Sequence, residues 1–304
     1  MTIPQFQKFI LNWHKQNRRE MPWRETTDPY EILVSEIMLQ QTQVARALPK
    51  YDEFLKTFPT IESLAKATDK KLLKVWAGLG YWRRALYLRE CARKIIKDYQ
   101  GAFPQKPKEL ETLPGIGYYT ARAIACFAFG NTETFLDTNI RRVFLHFFFT
   151  GRDNTSYSHP SRKKTITTVF SSTEPPPRQS SLSLKISDKD IFPIAQKSVY
   201  TKNPREWHYA LFDYGAIALK HTNINKQSKH YSKQKQFDGS FRFFRTKVVH
   251  YLLEKPRSRA SSKELTKMLT QELKNKNKSY QPTAILSALV NDQLIKKHNT
   301  TYFL

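Results

Sequence analysis

The stretch Leu113-Pro114-Gly115-Ile116-Gly117, continued by Tyr118-Tyr119-Thr120-Ala121, reads as a tight corner that opens a helix. Gly115 and Gly117 allow backbone with positive φ, and the free N–H groups at the helix start can bind a phosphate. A Pro-Gly corner alone is common and proves little. Here Pro107 to Thr112 reads as a helix before the corner, so the whole is a helix-hairpin-helix. Gly115 and Gly117 are its candidate phosphate contacts.

Charge gives that corner a partner. The 304 residues hold 51 Lys and Arg against 26 Asp and Glu, a formal charge of +25. Neutralising phosphates releases counterions, so a polyanion is the simplest partner for such a chain. Basic ribosomal and membrane-surface proteins share the number, but a phosphate-binding hairpin turns the reading towards DNA. Cys91 and Cys126 are the only cysteines, too few and too far apart for a disulfide framework or a metal cluster. No apolar run is long enough to span a bilayer, and the polar start is no signal peptide. A soluble, cytoplasmic, nucleoid-associated monomer without metal or membrane contact is expected.

Outward from the hairpin, apolar residues recur at helical spacing, as in Phe6, Phe9, Ile10 and Trp13, or Ile32, Leu33, Ile37 and Leu39. Corners fall at Asp28-Pro29, Phe58-Pro59 and Gly101 to Pro104. The expected class is all-α, with two lobes. Residues 1–20 with 131–225 form one lobe, and residues 21–130 form a six-helix barrel carrying the hairpin. Ser, Thr and Pro crowd 151–187, which reads as a flexible insertion. A basic linker, 226–240, leads to a tail at 241–304. Its pattern is helix (Phe243 to Leu253), helix (Ser262 to Leu273), helix (Pro282 to Asp292), then strands Leu294 to Lys297 and Thr301 to Leu304. That is the order of a winged-helix-like module, which binds DNA in some proteins and protein in others.

Two carboxylates stand out. Glu36, in Pro29 to Val44, shares the apolar face of its helix, and a buried carboxylate is penalised when charged. Its pKa is expected to rise, which suits a proton donor near neutral pH. An ion pair with Arg24 or Arg46 is the plainer alternative. Asp137, in Leu136-Asp137-Thr138-Asn139, is placed to cap the next helix, where amides and dipole favour an anion. A proton donor, a phosphate-binding hairpin and a fixed anion are what glycosidic cleavage of a nucleotide needs, once the base has been flipped out.

With these residues in view, the chain resembles the adenine DNA glycosylases of the helix-hairpin-helix base-excision superfamily. The motifs are Met21-Pro22-Trp23-Arg24, Ser35-Glu36-Ile37-Met38-Leu39-Gln40-Gln41-Thr42-Gln43-Val44, Trp76-Ala77-Gly78-Leu79-Gly80-Tyr81-Trp82, the hairpin, Leu136 to Val143, and Asp213-Tyr214-Gly215-Ala216. The resemblance implies monofunctional hydrolysis of adenine from double-stranded DNA, opposite 8-oxoguanine or guanine. It implies that Glu36 protonates the adenine and Asp137 stabilises the sugar cation. Tyr119 stands where lyase-type relatives carry lysine, and Asn139 supports the catalytic network. Trp23, Arg24 and Tyr209 fall at the adenine pocket. Gln40, Gln41, Thr42, Leu79 and Tyr81 face the opposite base, with Tyr81 as an intercalating wedge. Tyr81 and Trp82 could equally be packing aromatics, and Trp23 a core aromatic.

Three departures qualify the likeness. Relatives carry four cysteines for a [4Fe–4S] cluster just after the Asp213 motif, but Ile217 to Phe237 has none. No cofactor is expected; packing of His221, His230 and Tyr231 with the lysines would fill the place, and the histidines, nine residues apart at the nearest, read as solvated surface rather than a metal site. Tyr209 replaces the Gln or Glu common at the adenine edge. A nudix-like domain typical of relatives is replaced by the short tail. Two alternatives follow: a glycosylase of altered base choice, such as thymine opposite guanine, or a non-catalytic lesion binder.

Overall fold

The computed structural model describes residues 1–149, 185–233 and 236–304. The insertion expected at 151–187 lies outside them except for 185–187. In chain order the first helices are α1 (Ile3–Asn17), α2 (Pro22–Glu25), α3 (Pro29–Leu39), α4 (Val44–Thr57), α5 (Ile61–Ala65), α6 (Asp69–Trp76), α7 (Arg83–Tyr99), α8 (Pro107–Leu110) and α9 (Tyr118–Phe129). Then come α10 (Thr138–Phe144), running into a π turn at Leu145–Phe149, α11 (Asp188–Lys197) and α12 (Pro204–Ile217). The tail contributes α13 (Phe241–Glu254), β1 (Arg259–Ser261), α14 (Ser262–Asn275), α15 (Pro282–Asn291), β2 (Lys296–His298) and β3 (Thr301–Phe303).

Local chemistry sets these boundaries. Thr2 and Gln5 form a capping box at the start of α1. Asp28 accepts from the amides of Tyr30 (2.7 Å) and Glu31 (3.3 Å), with Pro29 in the first turn of α3. Asn203 caps α12 and Ser261 caps α14 in the same manner.

The chain divides into two compact units: Met1–Arg18 with Thr134–Ser232, and Arg19–Glu133 with Lys233–Leu304. In the first, α12 packs against α10 and α1. Its core is aromatic, with Phe6 against Phe144, Phe148 and Trp207. Phe9 does not join the buried stripe read from sequence: it is exposed and touches Phe147 and Tyr214 edge-on, while His14 is buried in its stead. The described end of the insertion is ordered by pairing, since Ile186 bridges Ser228 and Ser187 caps α11.

In the second unit α3 lies against α4, α7 and α9, and is buried on nearly every side. The tail belongs to this unit. Its three strands form an antiparallel sheet in the order β1-β3-β2, with Ala260 opposite Tyr302 and Lys297 opposite Tyr302 on the other side. The sequence shows the three helices and the last two strands, but not β1, which is only three residues long and merges into the cap of α14. The helix expected over Pro107 to Thr112 is a single turn, Pro107–Leu110, because the chain folds into the corner at Glu111.

Candidate functional site

The hairpin turns on Gly115 alone, since Gly117 has φ −96° and open space where a Cβ would lie, and the glycine freedom expected there is not used. Gly115 has φ +78°, and a Cβ there would come within 2.8 Å of Tyr87 Cβ. Both the backbone conformation and the close approach exclude other residues. Gly117 is the extended N-cap of α9, which has no side-chain cap. A helix start of this kind can offer its first-turn amides to an acceptor such as a phosphate. Arg122 of α9 ties the corner down through ion pairs with Glu111 and Glu133.

Beside it, the end of α3 and the Gly78–Tyr81 turn share one cation. Arg84, almost fully buried, sends Nη1 to the carbonyls of Ile37 (2.8 Å), Met38 (2.9 Å) and Gln40 (2.6 Å). Nη2 reaches Thr42 Oγ1 (3.1 Å) and the carbonyls of Leu79 (3.0 Å) and Gly80 (3.1 Å). Burial lowers its pKa to about 10. A guanidinium at a helix C-terminus meets the negative end of the dipole, so the carbonyls hold it without a carboxylate. Sequence reasoning missed Arg84. Its only signal was an arginine at an otherwise apolar position of α7.

Both segments that Arg84 joins are bent out of ordinary backbone. Gln41 (φ +55°) and Tyr81 (φ +47°) sit in the left-handed region, as do Gly78 and Gly80. Such conformations persist in non-glycine residues only where surroundings enforce them. Gln41 is exposed, Thr42 half-buried, and Gln40 donates to Thr120 Oγ1 on α9 (3.3 Å). Leu79 is 3% exposed, so what it offers is its carbonyl rather than its side chain. A cleft of about 560 Å³ gathers Gln40, Gln41, Tyr81 and Gly115 with Arg242 and Arg245 of the tail. Four residues picked out in the sequence thus meet in one place, and the two tail arginines were missed.

In the same unit Glu36 is 7% exposed, in the middle of α3. Trp23 is buried with its ring edge-on to Tyr51 at 5.2 Å, as the core-aromatic alternative expects. Arg24 is buried too and donates to the Arg19 carbonyl (3.0 Å). Tyr119 is half-buried near the start of α9.

Asp137 belongs to the other unit. Oδ1 accepts from the Ile140 amide at 2.6 Å, and Oδ2 accepts from Asn139 Nδ2 at 3.1 Å. Cap and network are the same two contacts. Its pKa nevertheless lies above the ordinary aspartate value, because desolvation outweighs the amides of Ile140 and Asn139 and the charge of Arg141. The helix start supports the anion, as expected from sequence, but does not win. Gly215 explains the Asp213 motif: a Cβ there would overlap the Asn139 backbone carbonyl, so α12 can lie directly on α10. Arg142 reinforces that seam by donating to the Gly215 carbonyl at 2.6 Å. Tyr209, on α12, is buried, with Arg205 5.7 Å from its ring centre.

After α12 the expected packing of His221, His230 and Tyr231 is not what is found. All three are exposed, and Asn225 and Ser228 are the buried residues. Backbone bonds from Ile186 N to the Gln227 carbonyl (2.8 Å) and from Lys229 N to the Ile186 carbonyl (2.9 Å) hold the segment. A four-thiolate cluster does not fit here. Both cysteines of the chain are buried in helices of the other unit, and burial pushes the Cys91 thiol up to about 12.

Residues 34–165 match the family described as HhH-GPD superfamily base excision DNA repair protein. Residues 34–165 are thus similar to a helix-hairpin-helix base-excision repair domain. Over 135 residues it is 45% identical to the adenine DNA glycosylase of Mycobacterium tuberculosis, covering 44% of each chain. The adenine DNA glycosylase of Buchnera aphidicola subsp. Baizongia pistaciae is 39% identical over 170 residues, 56% of this chain and 48% of that one. The chain therefore spans less than half the length of these curated relatives. Among solved structures, a thermostable thymine-DNA glycosylase superposes with a TM-score of 0.57 at 28% identity, covering 75% of this chain and 96% of that chain. The matched stretch contains the hairpin and both carboxylates, and the cleft adds residues of the tail to it. Among the described residues no helix is long and apolar enough to cross a membrane.

Proposed function

We propose that this chain is a monofunctional DNA glycosylase that removes adenine mispaired with 8-oxoguanine or guanine, leaving an abasic site. The observation that carries the reading is Glu36: a carboxyl placed in the middle of a helix buried on nearly every side, within a motif that resembles the adenine enzymes. An acid so placed is suited to protonate a base and make it a leaving group. Asp137, held by an amide and by Asn139, supplies the fixed anion against which positive charge on the sugar develops. Trp23, Arg24 and Tyr209 are assigned to the adenine, and Tyr119 to the sugar. Gln41, Thr42 and the Leu79–Tyr81 turn are assigned to the opposite base. No step runs through an iron–sulfur cluster. Mismatched double-stranded DNA is the partner, bound by a monomer.

The test is single-turnover release of adenine from an A·8-oxoguanine duplex. Glu36→Gln is expected to abolish release while binding is kept, and Asp137→Asn to reduce it severely. Full rates in both variants would sink the assignment.

A second reading, thymine opposite guanine, is favoured by the likeness to a thymine-DNA glycosylase and by Tyr209. Assaying a panel of mismatches separates the two. Release of thymine from T·G at a rate above that of adenine would replace the first reading. Tight binding with no base released from any duplex would leave a lesion binder.

A further inference from the structure

The three consecutive residues Tyr81, Trp82 and Arg83 each engage a different residue of the C-terminal module. Arg242 donates to the Tyr81 hydroxyl and lies 4.4 Å from the centre of its ring. Trp82 is buried, donating Nε1 to Thr246 Oγ1 (3.3 Å) and standing edge-on to His250 at 5.3 Å. Arg83 pairs with Asp292 at 3.1 Å, and the same carboxylate takes Arg245. Residues 242, 246 and 250 lie four apart, so a single stripe of α13 is laid along the turn. A further pair, Lys296 with Asp69 at 3.1 Å, fastens the β-hairpin to α6.

These contacts fall on the residue that most needs them. Tyr81 holds a left-handed backbone with no glycine's freedom, and its ring is flanked by Arg242 and, at 5.5 Å, by Arg84. Cation–π contact with a desolvated guanidinium and a bond to the hydroxyl both restrict the ring. A wedge that must replace a flipped base is more effective when its rotamer is fixed in advance. We propose that the C-terminal module is a strut for the Tyr81 turn, with Arg242 a positioning residue that sets Tyr81 for insertion into the duplex. The inference rests on reading Tyr81 as the wedge.

The experiment compares Arg242→Met, Tyr81→Ala and the double variant in the full chain, after thermal melts establish that each folds. Base opening is followed by fluorescence of 2-aminopurine in the duplex, base release by single-turnover rate, and binding by its salt dependence. Arg242→Met is expected to slow opening and release by about tenfold to a hundredfold. The salt slope should stay unchanged, and the double variant should be no slower than Tyr81→Ala alone. Arg242→Lys, which keeps a charge beside the ring, should recover part of the rate. Additive losses in the double variant would overturn the proposal. A salt slope reduced by about one would do the same, marking Arg242 as a direct phosphate contact. If Tyr81→Ala itself opens and cleaves at full rate, the wedge reading fails first, and the strut with it.

Discussion

Arg84 Nη1 lies 2.6 Å from the carbonyl oxygen of Gln40, and through that contact a buried guanidinium ends α3 where the exposed Gln41 begins. The neighbouring bonds to Leu79 and Gly80 give the second loop the same anchor. Replacing Arg84 by Met would leave several buried carbonyls without donors. At about 1–3 kcal/mol for each acceptor left unsatisfied, a loss of about 3 kcal/mol or more is expected. Urea unfolding would measure it. Arg84→Lys should recover only part, since an ammonium cannot match a planar fork that spans two loops. Equal stability of the Met variant and the parent would show that the carbonyls find other donors.

Gly115→Ala tests the hairpin. The new methyl meets both an unfavourable φ and the Tyr87 side chain, so the corner must shift. A loss of about 1–3 kcal/mol in stability is expected. If the corner holds a DNA phosphate, affinity for undamaged duplex should fall alongside that for mismatched duplex, since phosphate contacts position without specifying. Gel-shift titrations on both duplexes decide it. Unchanged affinity would remove Gly115 from the interface.

The hairpin was legible because its requirements are local: a glycine with positive φ and a helix start announce themselves in a few residues. Glu36 and Asp137 were legible for a related reason, one by its apolar neighbours and the other by its capping position. Arg84 was not. Six of its acceptors come from residues 37–42 and 79–80, and nothing in the local sequence says that those loops meet. The same holds for Arg242, whose partner Tyr81 lies 161 residues away. The tail's helical pattern shows that it folds, but not what it folds against. Asp137 marks a different limit. Capping chemistry is written in the sequence, whereas desolvation depends on everything packed around the carboxyl.

Gly215→Ala tests how closely α12 must lie on α10. The added methyl would overlap the backbone of Asn139, and backbone cannot rotate aside as a side chain can. Overpacking of this kind costs about 1–3 kcal/mol and displaces one helix from the other. Asn139 and Asp137 are bonded to each other, so the catalytic assignment adds a second effect. Base release should fall by more than the loss in folded fraction explains. Differential scanning calorimetry together with single-turnover rates would separate the two. A rate that merely tracks the folded fraction would deny the seam any part in placing Asp137.

Asp137 also fixes a sign for pH. Its native pKa is raised, so between the unfolded value, about 3.9, and the native value the folded state binds more protons than the unfolded one. Stability contributed by this group therefore falls as pH rises through that window, and the full cost is present above the native value. Asp137→Asn removes the charge but keeps an oxygen to cap the Ile140 amide, and Asn139 can turn its own amide to accept from the new one. The variant should be at least as stable as the parent at pH 7, with the advantage shrinking as pH falls through that window and small by about pH 4. Denaturant unfolding at both pH values measures this. Activity should move the opposite way. The ionised carboxylate is the form that offsets charge on the sugar, so the parent rate should drop as pH falls through a pKa above 3.8. Asn at this position should cost about 100- to 1,000-fold where the parent carboxylate is ionised, the usual scale for losing one electrostatic partner of a transition state, and less at lower pH, where the parent is neutral too. A variant both less stable at pH 7 and fully active would reduce Asp137 to a helix cap.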